Sequence, residues 1–267
     1  MQVLVENLSF SYFNIDILHN INLQINEGEI ILLVGENGAG KSTLLRLLSG
    51  NYTALKYDKF SVLGTRSPHD QYKGVAFLGN IWKRSVSFAG HVPFMIDMAA
   101  GEMMKKWQEE NIERRNELVE VLEIDLNWRM NKVSDGQRKR VQIMLGLMKP
   151  FKFLIIDEFT NDLDVVVRDK FFNYLKKERD ERNCCIIYAT HIFDNIDNFA
   201  THVVFISNGV THEKQLLKDF IVEQNLFHSV KNKILANKTY INDQKLDKNL
   251  LGPQGGWSSG RSNFFFK

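Results

Sequence analysis

The sequence predicts an α/β fold in which strands and helices alternate around a mostly parallel sheet. Three observations lead to this prediction. A short apolar segment, a glycine-rich loop and a helix-forming segment follow one another within residues 30–48. Further apolar segments, separated by helical patterns, occupy the second half of the chain. One of these segments ends in the carboxylates Asp157 and Glu158, at the kind of strand end where parallel sheets bind their ligands.

The glycine-rich loop has the spacing G-x-x-x-x-G-K-[ST], which wraps nucleotide phosphates when it joins a strand to a helix. It comprises Gly35, Glu36, Asn37, Gly38, Ala39, Gly40, Lys41, Ser42 and Thr43. Glycines let the backbone turn tightly, so that consecutive N–H groups and the helix N terminus face one anion. Lys41 would add a positive charge beside the outer phosphates, and the Ser42 hydroxyl would ligate Mg²⁺. Motif and context together predict a nucleoside triphosphate site.

Composition argues against several other classes of protein. The 267 residues suffice for one large core, and 44% hydrophobic with 25% charged residues is typical of a globular chain. No apolar run approaches the ~20 residues that cross a bilayer, and the N terminus lacks a signal-peptide pattern. The net charge of +2 disfavours strong electrostatic binding of nucleic acid. Adjacent Cys184 and Cys185 in an apolar segment predict buried thiols in a reducing compartment. We therefore expect a cytoplasmic or nuclear protein without a membrane segment or a nucleic-acid surface.

The N-terminal part predicts a small antiparallel β layer on the α/β core. Alternating apolar and polar residues predict strands over residues 3–12 and 17–25, with a turn at 14–16. A second turn at 27–29 leads into the strand before the phosphate loop, and the helix after Lys41 would end at Gly50. Residues 51–77 are interpreted as short strands and turns.

The middle of the chain is rich in Glu, Lys and Arg, with apolar residues at helical spacing. This pattern predicts an inserted helical subdomain at about 81–150, whose last helix begins near Ser134 and ends before Pro150. Strands are predicted at 153–157, 184–189 and 203–206, with a helix at 168–181. Residues 1–212 would form one domain, followed by a polar and partly flexible extension at 213–267.

Two strand ends carry candidate catalytic groups. Asp157 and Glu158 lie about 115 residues after Lys41, in the second half of the same core. A strand in that position would run beside the phosphate loop and bring Asp157 near the Mg²⁺ held by Ser42. Glu158 could then accept a proton from an attacking water. His191, after the strand at 184–189, could reach the γ-phosphate and that water, although a single histidine is more often structural.

Ser134, Asp135, Gly136 and Gln137 open the helix that ends before Pro150. Ser134 is a natural N-cap, and a helix N terminus with a flexible glycine can receive a phosphate. A plain capped helix is the alternative, and these residues alone favour it. The basic run at 138–140 is interpreted as a solvated helix face.

These pieces, in this order, resemble the ABC ATPase family over about residues 1–209. Residues 35–43 match its Walker A loop, 153–158 its Walker B strand and 161–164 its D-loop, which contains Asp164. His191 falls at the switch histidine, Tyr12 at the aromatic residue that stacks on adenine, and 134–137 at the signature Ser-Gly-Gly-Gln. The resemblance implies a P-loop NTPase (RecA-like) core of ABC type, with an antiparallel β layer and an inserted helical subdomain. It also implies hydrolysis of ATP with Mg²⁺.

By the same resemblance, two such domains close head to tail around two ATP molecules. Each nucleotide would lie between Lys41 of one copy and the signature residues Ser134 and Gly136 of the other. The chain carries one set of motifs, so the resemblance implies a second ABC domain as partner, most simply a second copy of this chain.

Two positions depart from the family pattern. Asp135 replaces the first signature glycine and adds a carboxylate near the expected phosphate, unless the helix turns it sideways. The family's usual glutamine is absent from residues 77–82, where Asn80 could partly substitute. Because that glutamine senses both Mg²⁺ and a transmembrane partner, its absence disfavours coupling to a transporter.

A closer resemblance, carried by residues 126–130, 134–142, 162–165 and 188–194, is to a soluble eukaryotic subgroup of the family without membrane domains. The subgroup includes plant proteins and one associated with the Not-type transcription and mRNA deadenylation complex. It implies an ATPase whose dimer closure regulates a protein complex in transcription or mRNA turnover. The ATP-binding subunit of an ABC transporter is the alternative, and a nucleotide-gated RNA or ribosome factor is a third hypothesis.

Overall fold

The structure, a computed structural model, describes residues 1–54, 56–65, 73–79, 97–160, 162–193, 195–221 and 225–237. Its strands are β1 (Val3–Tyr12), β2 (Ile15–Ile25), β3 (Ile30–Gly35), β4 (Lys59–Val62), β5 (Val75–Gly79), β6 (Phe153–Asp157), β7 (Cys185–Ala189), β8 (His202–Ser207), β9 (Val210–Thr211) and β10 (Gln215–Leu216). Its helices are α1 (Lys41–Leu48), α2 (Lys105–Glu110), α3 (Ile112–Val121), α4 (Asp135–Leu147), α5 (Val165–Arg182), α6 (Leu217–Phe220) and α7 (Leu226–Asn237), with a 3₁₀ turn at Ala100–Glu102. Within these described ranges, no helix has the length and apolar character needed to cross a membrane.

The main sheet has the strand order β10-β8-β3-β7-β6-β5, with β9 beside β8. Strands β8, β3, β7, β6 and β5 run parallel, and β9 and β10 pair with β8 in the antiparallel sense. Every residue of β3, β6 and β7 is buried, as expected for parallel strands with both faces covered. The predicted α/β class with a mostly parallel sheet is therefore confirmed.

The antiparallel layer is a second sheet of order β2-β1-β4. Its buried side chains form one apolar cluster with α1 and with one face of the main sheet, so α1 lies between the two sheets. The predicted strand at 3–12 is confirmed, but the predicted turn at 14–16 is wrong. Strand β2 already begins at Ile15, which pairs with Tyr12, because Phe13 takes a left-handed conformation and closes a two-residue turn.

The described part of the predicted helical subdomain contains α2, α3 and α4, while residues 80–96, including Asn80, lie outside the described ranges. Arg114 on α3 joins three helices. Its guanidinium makes two hydrogen bonds of 2.9 and 2.8 Å to Glu178 on α5, and its Nε donates to the Leu147 carbonyl at the end of α4. Both charged side chains are buried, so the pair holds its geometry without competition from water.

The extension predicted from residue 213 contributes to the same core in its described part. Leu217, Phe220, Leu226 and Val230 are buried in the cluster that covers the other face of the main sheet. The sequence predicts no strand or helix here, because polar residues outnumber the few apolar residues of α6 and α7. The domain boundary after residue 212 and the partial flexibility of 213–267 stay predictions, and residues 222–224 and 238–267 of this extension lie outside the described residues.

Gly209, in the turn between β8 and β9, connects the phosphate loop to the antiparallel sheet. Its N–H donates to the Ala39 carbonyl (3.2 Å), and its carbonyl accepts from the His19 N–H on β2 (2.8 Å). The residue has φ +73°, and a Cβ there would lie 2.3 Å from the Ile17 carbonyl oxygen. A side chain at this position would therefore push the hairpin away from the loop.

We expect Gly209→Ala to destabilise the protein more than Gly28→Ala. Both glycines have a left-handed φ, but a Cβ at Gly28 would meet nothing within 4 Å. The matched substitution at Gly28 should cost about 1 kcal/mol of unfolding free energy, and that at Gly209 roughly 1–3 kcal/mol more because of the clash. Urea unfolding of the two variants measures the difference, and equal losses would contradict the close approach.

Candidate functional site

The loop predicted to bind phosphates lies between the carboxyl end of β3 and the N terminus of α1. Gly38 has φ +80° and Gly40 has φ +101°, conformations that other residues rarely adopt. Gly40 is the N-cap of α1, and no side chain of the described residues caps this helix start. The first N–H groups of α1 and the positive end of its helix dipole can therefore face an anion. Glu36, Asn37, Ala39 and Thr43 complete the loop at their predicted places.

Lys41 lies inside the loop with only 6% of its surface exposed. Its Nζ donates to the carbonyl oxygens of Gly35 and Glu36, both at 2.8 Å. Burial lowers the pKa of the Lys41 ammonium, and the nearby carboxylates, Glu158 and Asp157 foremost, act in the opposite direction. Because an ammonium has three donors and these bonds use two, one donor can still turn toward a phosphate.

Ser42 and Asp157 bring two oxygen ligands together at the end of the loop. The Ser42 hydroxyl donates to Asp157 Oδ1 at 3.0 Å, although the two residues are 115 positions apart in the chain. Hydroxyl and carboxylate oxygens suit Mg²⁺, which usually takes one or two protein ligands and completes its shell with phosphates and water. The described residues hold no cluster of three or more His, Cys, Asp or Glu side chains for a metal ion. The site therefore fits a Mg²⁺ ion that arrives with a phosphate.

Glu158 and His191 form a direct pair beside this position. His191 Nε2 lies 2.7 Å from Glu158 Oε1, and both side chains are partly exposed. The Glu158 backbone is held by its N–H bond to the Ala189 carbonyl (2.9 Å) and has φ +51°. Such a conformation costs of the order of 1 kcal/mol or more in a residue other than glycine, and strain of this kind clusters at functional sites. The pair can hold a water and accept its proton.

Tyr12 belongs to a group of aromatic rings near α1. Its ring lies edge-on to those of Phe10 and Tyr52, with centroids at 5.0 and 5.6 Å. Burial and the neighbouring Tyr52 raise the pKa of the Tyr12 hydroxyl, and the Thr43 side chain on α1 acts in the opposite direction. Arg46 of α1 donates to the Tyr52 hydroxyl at 2.9 Å, and this bond connects the aromatic group to α1. Tyr12 is therefore next to the phosphate loop, as its predicted role requires.

Ser134 and Gln137 cap the start of α4 with a reciprocal pair of hydrogen bonds. Ser134 Oγ accepts from the Gln137 N–H (3.2 Å), and Gln137 Oε1 accepts from the Ser134 N–H (2.9 Å). The exposed Asp135 carboxylate turns to Arg138, one helical turn on, at 2.5 Å. Asp135 is thus partly neutralised by its own helix. A Cβ at Gly136 would lie 3.2 Å from the Asp162 carbonyl, so α4 begins close against the segment after β6.

Asp164 caps α5 and also ties it to α4. It accepts from the Val167 N–H at 3.0 Å, a bond that lowers the pKa of Asp164, and its other oxygen bonds Arg140. The Lys139 ammonium lies 3.7 Å from the centroid of the Phe159 ring and is mostly buried. The interpretation of 138–140 as a solvated helix face is therefore wrong. Periodicity gave no signal for the burial of Lys139, because its acidic neighbour Asp162 lies more than twenty residues later in the chain.

The structure thus brings Lys41, Ser42, Asp157, Glu158 and His191 to one edge of the main sheet. Tyr12 lies beside that group. In the described parts of the chain, no hydrogen bond or ion pair joins Ser134–Gln137 to any of them. Asn161, which belongs to the predicted D-loop, lies outside the described residues. Ser134–Gln137 therefore form a second group of predicted site residues, at the start of α4 and next to the segment after β6.

Comparison with known proteins gives consistent matches. A family model described as "ABC transporter" matches residues 18–161. The chain is 42% identical to ABC transporter I family member 20 of Arabidopsis thaliana, over 77% of this chain and 66% of that protein. It is 38% identical to ABC transporter I family member 21 of the same plant, over 85% and 83%. It is also 38% identical to CCR4-associated factor 16 of Saccharomyces cerevisiae, over 71% and 69%.

Solved structures with the same fold include an ATP-binding subunit of an ABC transporter, with a TM-score of 0.73 and 20% identity over 88% of this chain and all of that one. Another is a dimeric ATP-binding cassette in a post-hydrolysis state bound to ADP and Pi. Its TM-score is 0.65 and its identity 22%, over 81% of this chain and 99% of that one. At these identities the likeness concerns the fold.

We expect Asp157→Asn to stabilise the nucleotide-free protein at neutral pH. Burial raises the pKa of Asp157, so its charged form destabilises the folded state, and stability falls as the pH rises through the raised pKa. Asn keeps an oxygen for Ser42 but carries no charge. The midpoint of thermal unfolding should rise by roughly 2–4 °C at pH 7.

The difference should disappear below about pH 4, where the aspartate is protonated in both states. Asp180→Asn removes the same charge at an exposed position and should leave the midpoint nearly unchanged. Thermal unfolding at a series of pH values measures both variants. A lower midpoint for Asp157→Asn at pH 7 would contradict the destabilising burial.

Proposed function

Because the chain belongs to the ABC transporter family, whose ATP-binding cassettes are ATPases, we propose that it is a soluble ATPase that hydrolyses Mg·ATP between two copies. One structural observation supports this proposal most strongly. The Glu158–His191 pair, at 2.7 Å, lies at the same sheet edge as the Ser42–Asp157 pair, at 3.0 Å. This arrangement supports a proton acceptor next to a metal and phosphate site.

We assign one role to each predicted site residue at this edge of the sheet. The loop N–H groups and Lys41 bind the outer phosphates, and Ser42 and Asp157 ligate Mg²⁺, which neutralises charge on the phosphates. Glu158 accepts the proton of the attacking water. His191 holds the Glu158 carboxylate and that water in place. Tyr12 stacks on the base.

The second group of residues requires another copy of the chain. Ser134, Gly136 and Gln137 lie at the start of α4, apart from the phosphate loop of their own chain, so we propose that they face the nucleotide of the partner. Asp164 would lie at the same interface. The Asp135–Arg138 pair reduces the repulsion that a free carboxylate would exert on a phosphate there. The dimeric cassette bound to ADP and Pi, which shares this fold, is consistent with such a pairing.

Our proposal for the cellular process that dimer closure regulates is based on the name of one relative. The yeast relative, 38% identical, is named CCR4-associated factor 16. We propose that this chain likewise acts on a Not-type complex in transcription or mRNA turnover. The transporter alternative is supported by relatives such as the maltose/maltodextrin import ATP-binding protein MalK of Vibrio vulnificus, which is 30% identical over 78% of this chain and 56% of that protein.

We expect Lys41→Ala to weaken the binding of Mg·ATP at least roughly tenfold, because the phosphates lose a charge-assisted hydrogen bond. Isothermal titration calorimetry gives the affinity. Lys106→Ala removes the same charge from an exposed position on α2 and should leave the affinity unchanged. If the two variants bind ATP equally well, Lys41 is not a phosphate ligand.

We expect Glu158→Gln to retain ATP and to lower its turnover by roughly 10²–10⁴, the usual contribution of a general base. Glutamine cannot accept the proton, so the nucleotide should persist and the closed dimer should accumulate. Phosphate release measures turnover, and light scattering after size exclusion measures mass. Glu109→Gln, at an exposed position on α2, is the matched control. A Glu158→Gln chain that stays monomeric with ATP would refute the two-copy site.

The regulatory role is tested by affinity purification of Glu158→Gln with ATP or with ADP, followed by mass spectrometry. Enrichment of Not-type complex subunits in ATP alone supports the proposed role. Enrichment of integral membrane subunits would instead favour the transporter alternative.

A further inference from the structure

Tyr188 on β7 carries a hydroxyl group into the interior of the protein. The side chain is 1% exposed, and its ring lies edge-on to those of Phe172 and Phe199, with centroids at 5.8 and 6.1 Å. A phenylalanine could fill the same apolar space. Because a hydroxyl without a hydrogen bond is costly to bury, this hydroxyl requires a polar partner in the core.

The partner is Thr160, in the segment after β6. Its Oγ1 lies 2.5 Å from the Tyr188 hydroxyl, and either oxygen can be the donor. Thr160 is completely buried. Burial raises the pKa of Tyr188, whereas the side chains of Thr160 and Thr190 act in the opposite direction. The Tyr188 hydroxyl therefore interacts with one residue that follows β6 and with one that follows β7.

The Thr160–Tyr188 bond lies beyond the point where the two strands stop pairing. In the parallel ladder of β6 and β7, the last pair is Asp157 with Ala189. Thr160 comes three residues after this pair, so its bond to Tyr188 holds the chain against β7 after the ladder has ended. The segment that is held in this way contains Glu158.

The backbone of Glu158 requires such support. Its φ of +51° is unfavourable for a residue with a Cβ and persists only where the surrounding structure holds it. On one side, the Glu158 N–H donates to the Ala189 carbonyl at 2.9 Å. On the other side, the Thr160–Tyr188 bond fixes the chain two residues later. Loss of the second bond would let the Glu158 carboxylate shift.

His191 is held from the same buried group. Thr190, directly before it, is 1% exposed, and its Oγ1 accepts from the Ile192 N–H at 3.0 Å. This bond closes a tight turn around His191. Thr160 and Thr190 thus hold the two members of the Glu158–His191 pair, and both interact with the one hydroxyl of Tyr188.

We propose that Tyr188 is a positioning residue for ATP hydrolysis, whose hydroxyl keeps the segments of Glu158 and His191 in place so that their side chains meet at 2.7 Å. Tyr188 packs in the core cluster on the side of α5, whereas α1 packs on the opposite face of the main sheet. Tyr188 therefore acts through Glu158 and does not touch the nucleotide. The inference rests on the proposed function, because it requires Glu158 to accept the proton of the attacking water.

The first test is Tyr188→Phe in the full chain, which removes the hydroxyl and keeps the ring. We expect kcat for ATP hydrolysis to fall roughly ten- to hundredfold, because small misplacements of a catalytic group cost this much. The KM for ATP and the affinity for Mg·ADP should stay close to those of the wild type, since the phosphate loop is unchanged. Phosphate release and isothermal titration calorimetry measure these quantities.

Tyr174→Phe is the matched control. Tyr174 on α5 is also buried, and its hydroxyl has no hydrogen-bond partner among the described residues. Its removal should leave kcat unchanged.

A second variant separates positioning from stability. Tyr188→Phe alone leaves the Thr160 hydroxyl buried without its partner, so the midpoint of thermal unfolding should fall. Tyr188→Phe combined with Thr160→Val replaces both partners by apolar groups, so the midpoint should return toward that of the wild type. The turnover should stay low, because the bond that holds the segment is still missing. Recovery of turnover together with stability would overturn the inference.

A third comparison asks whether Tyr188 acts through Glu158. In the Glu158→Gln chain, we expect Tyr188→Phe to change the single-turnover rate by less than about twofold, since the group that it positions is already absent. An equal loss in both backgrounds would show an independent effect on the fold and would overturn the inference.

The remaining outcomes distinguish this inference from the proposed function. If Tyr188→Phe hydrolyses ATP like the wild type, or loses kcat and nucleotide affinity in the same proportion, Tyr188 is not a positioning residue and the proposed function stands. If the wild type binds no Mg·ATP, or if Glu158→Gln turns over ATP as fast as the wild type, the proposed function fails and the inference fails with it.

Discussion

The structure depends on a close approach of three backbone segments around the phosphate loop. A Cβ at Gly35 would lie 2.0 Å from the Ile206 carbonyl oxygen, one at Gly40 2.5 Å from Leu18, and one at Gly209 2.3 Å from the Ile17 carbonyl. These contacts join β3 to β8 and join both to the antiparallel hairpin. The Ile206 and Ile17 carbonyl oxygens belong to the backbone and cannot move aside as the Leu18 side chain can, so these segments approach so closely only because Gly35 and Gly209 lack a Cβ.

The close approach of these segments buries polar groups, and burial disfavours their charged forms. Lys41 and Asp157 are buried. Burial lowers the pKa of Lys41 and raises that of Asp157, so it favours the neutral form of each side chain. Glu158 holds a left-handed backbone. The completely buried strands β6 and β7 can support this strain, since their apolar packing fixes the chain on either side of it. A phosphate and a divalent cation would add charges of both signs beside Lys41 and Asp157 and would so favour the ionised form of each.

The helices are connected to the same edge of the sheet by charge pairs. Arg114 and Glu178 fix α3 and the end of α4 to α5, and Arg140 fixes α4 to Asp164 at the start of α5. Since α5 follows β6, these pairs set where the N terminus of α4 lies relative to the candidate catalytic carboxylates at the end of β6. Salt should screen the buried Arg114–Glu178 pair much less than the partly exposed Arg140–Asp164 pair.

The sequence by itself determined the α/β class, the phosphate loop, most strands and the identity of the candidate site residues. These features are local: an apolar run, a glycine spacing or a capping residue acts on neighbours a few positions away. The pairing of Glu158 with His191, the bridge made by Gly209 and the burial of Lys139 were decided by tertiary structure. So were the early start of β2 at Ile15 and the packing of α7 on the core. Each of these depends on segments distant in the chain, and single-sequence periodicity carries no signal for which distant partner a side chain or a carbonyl will meet.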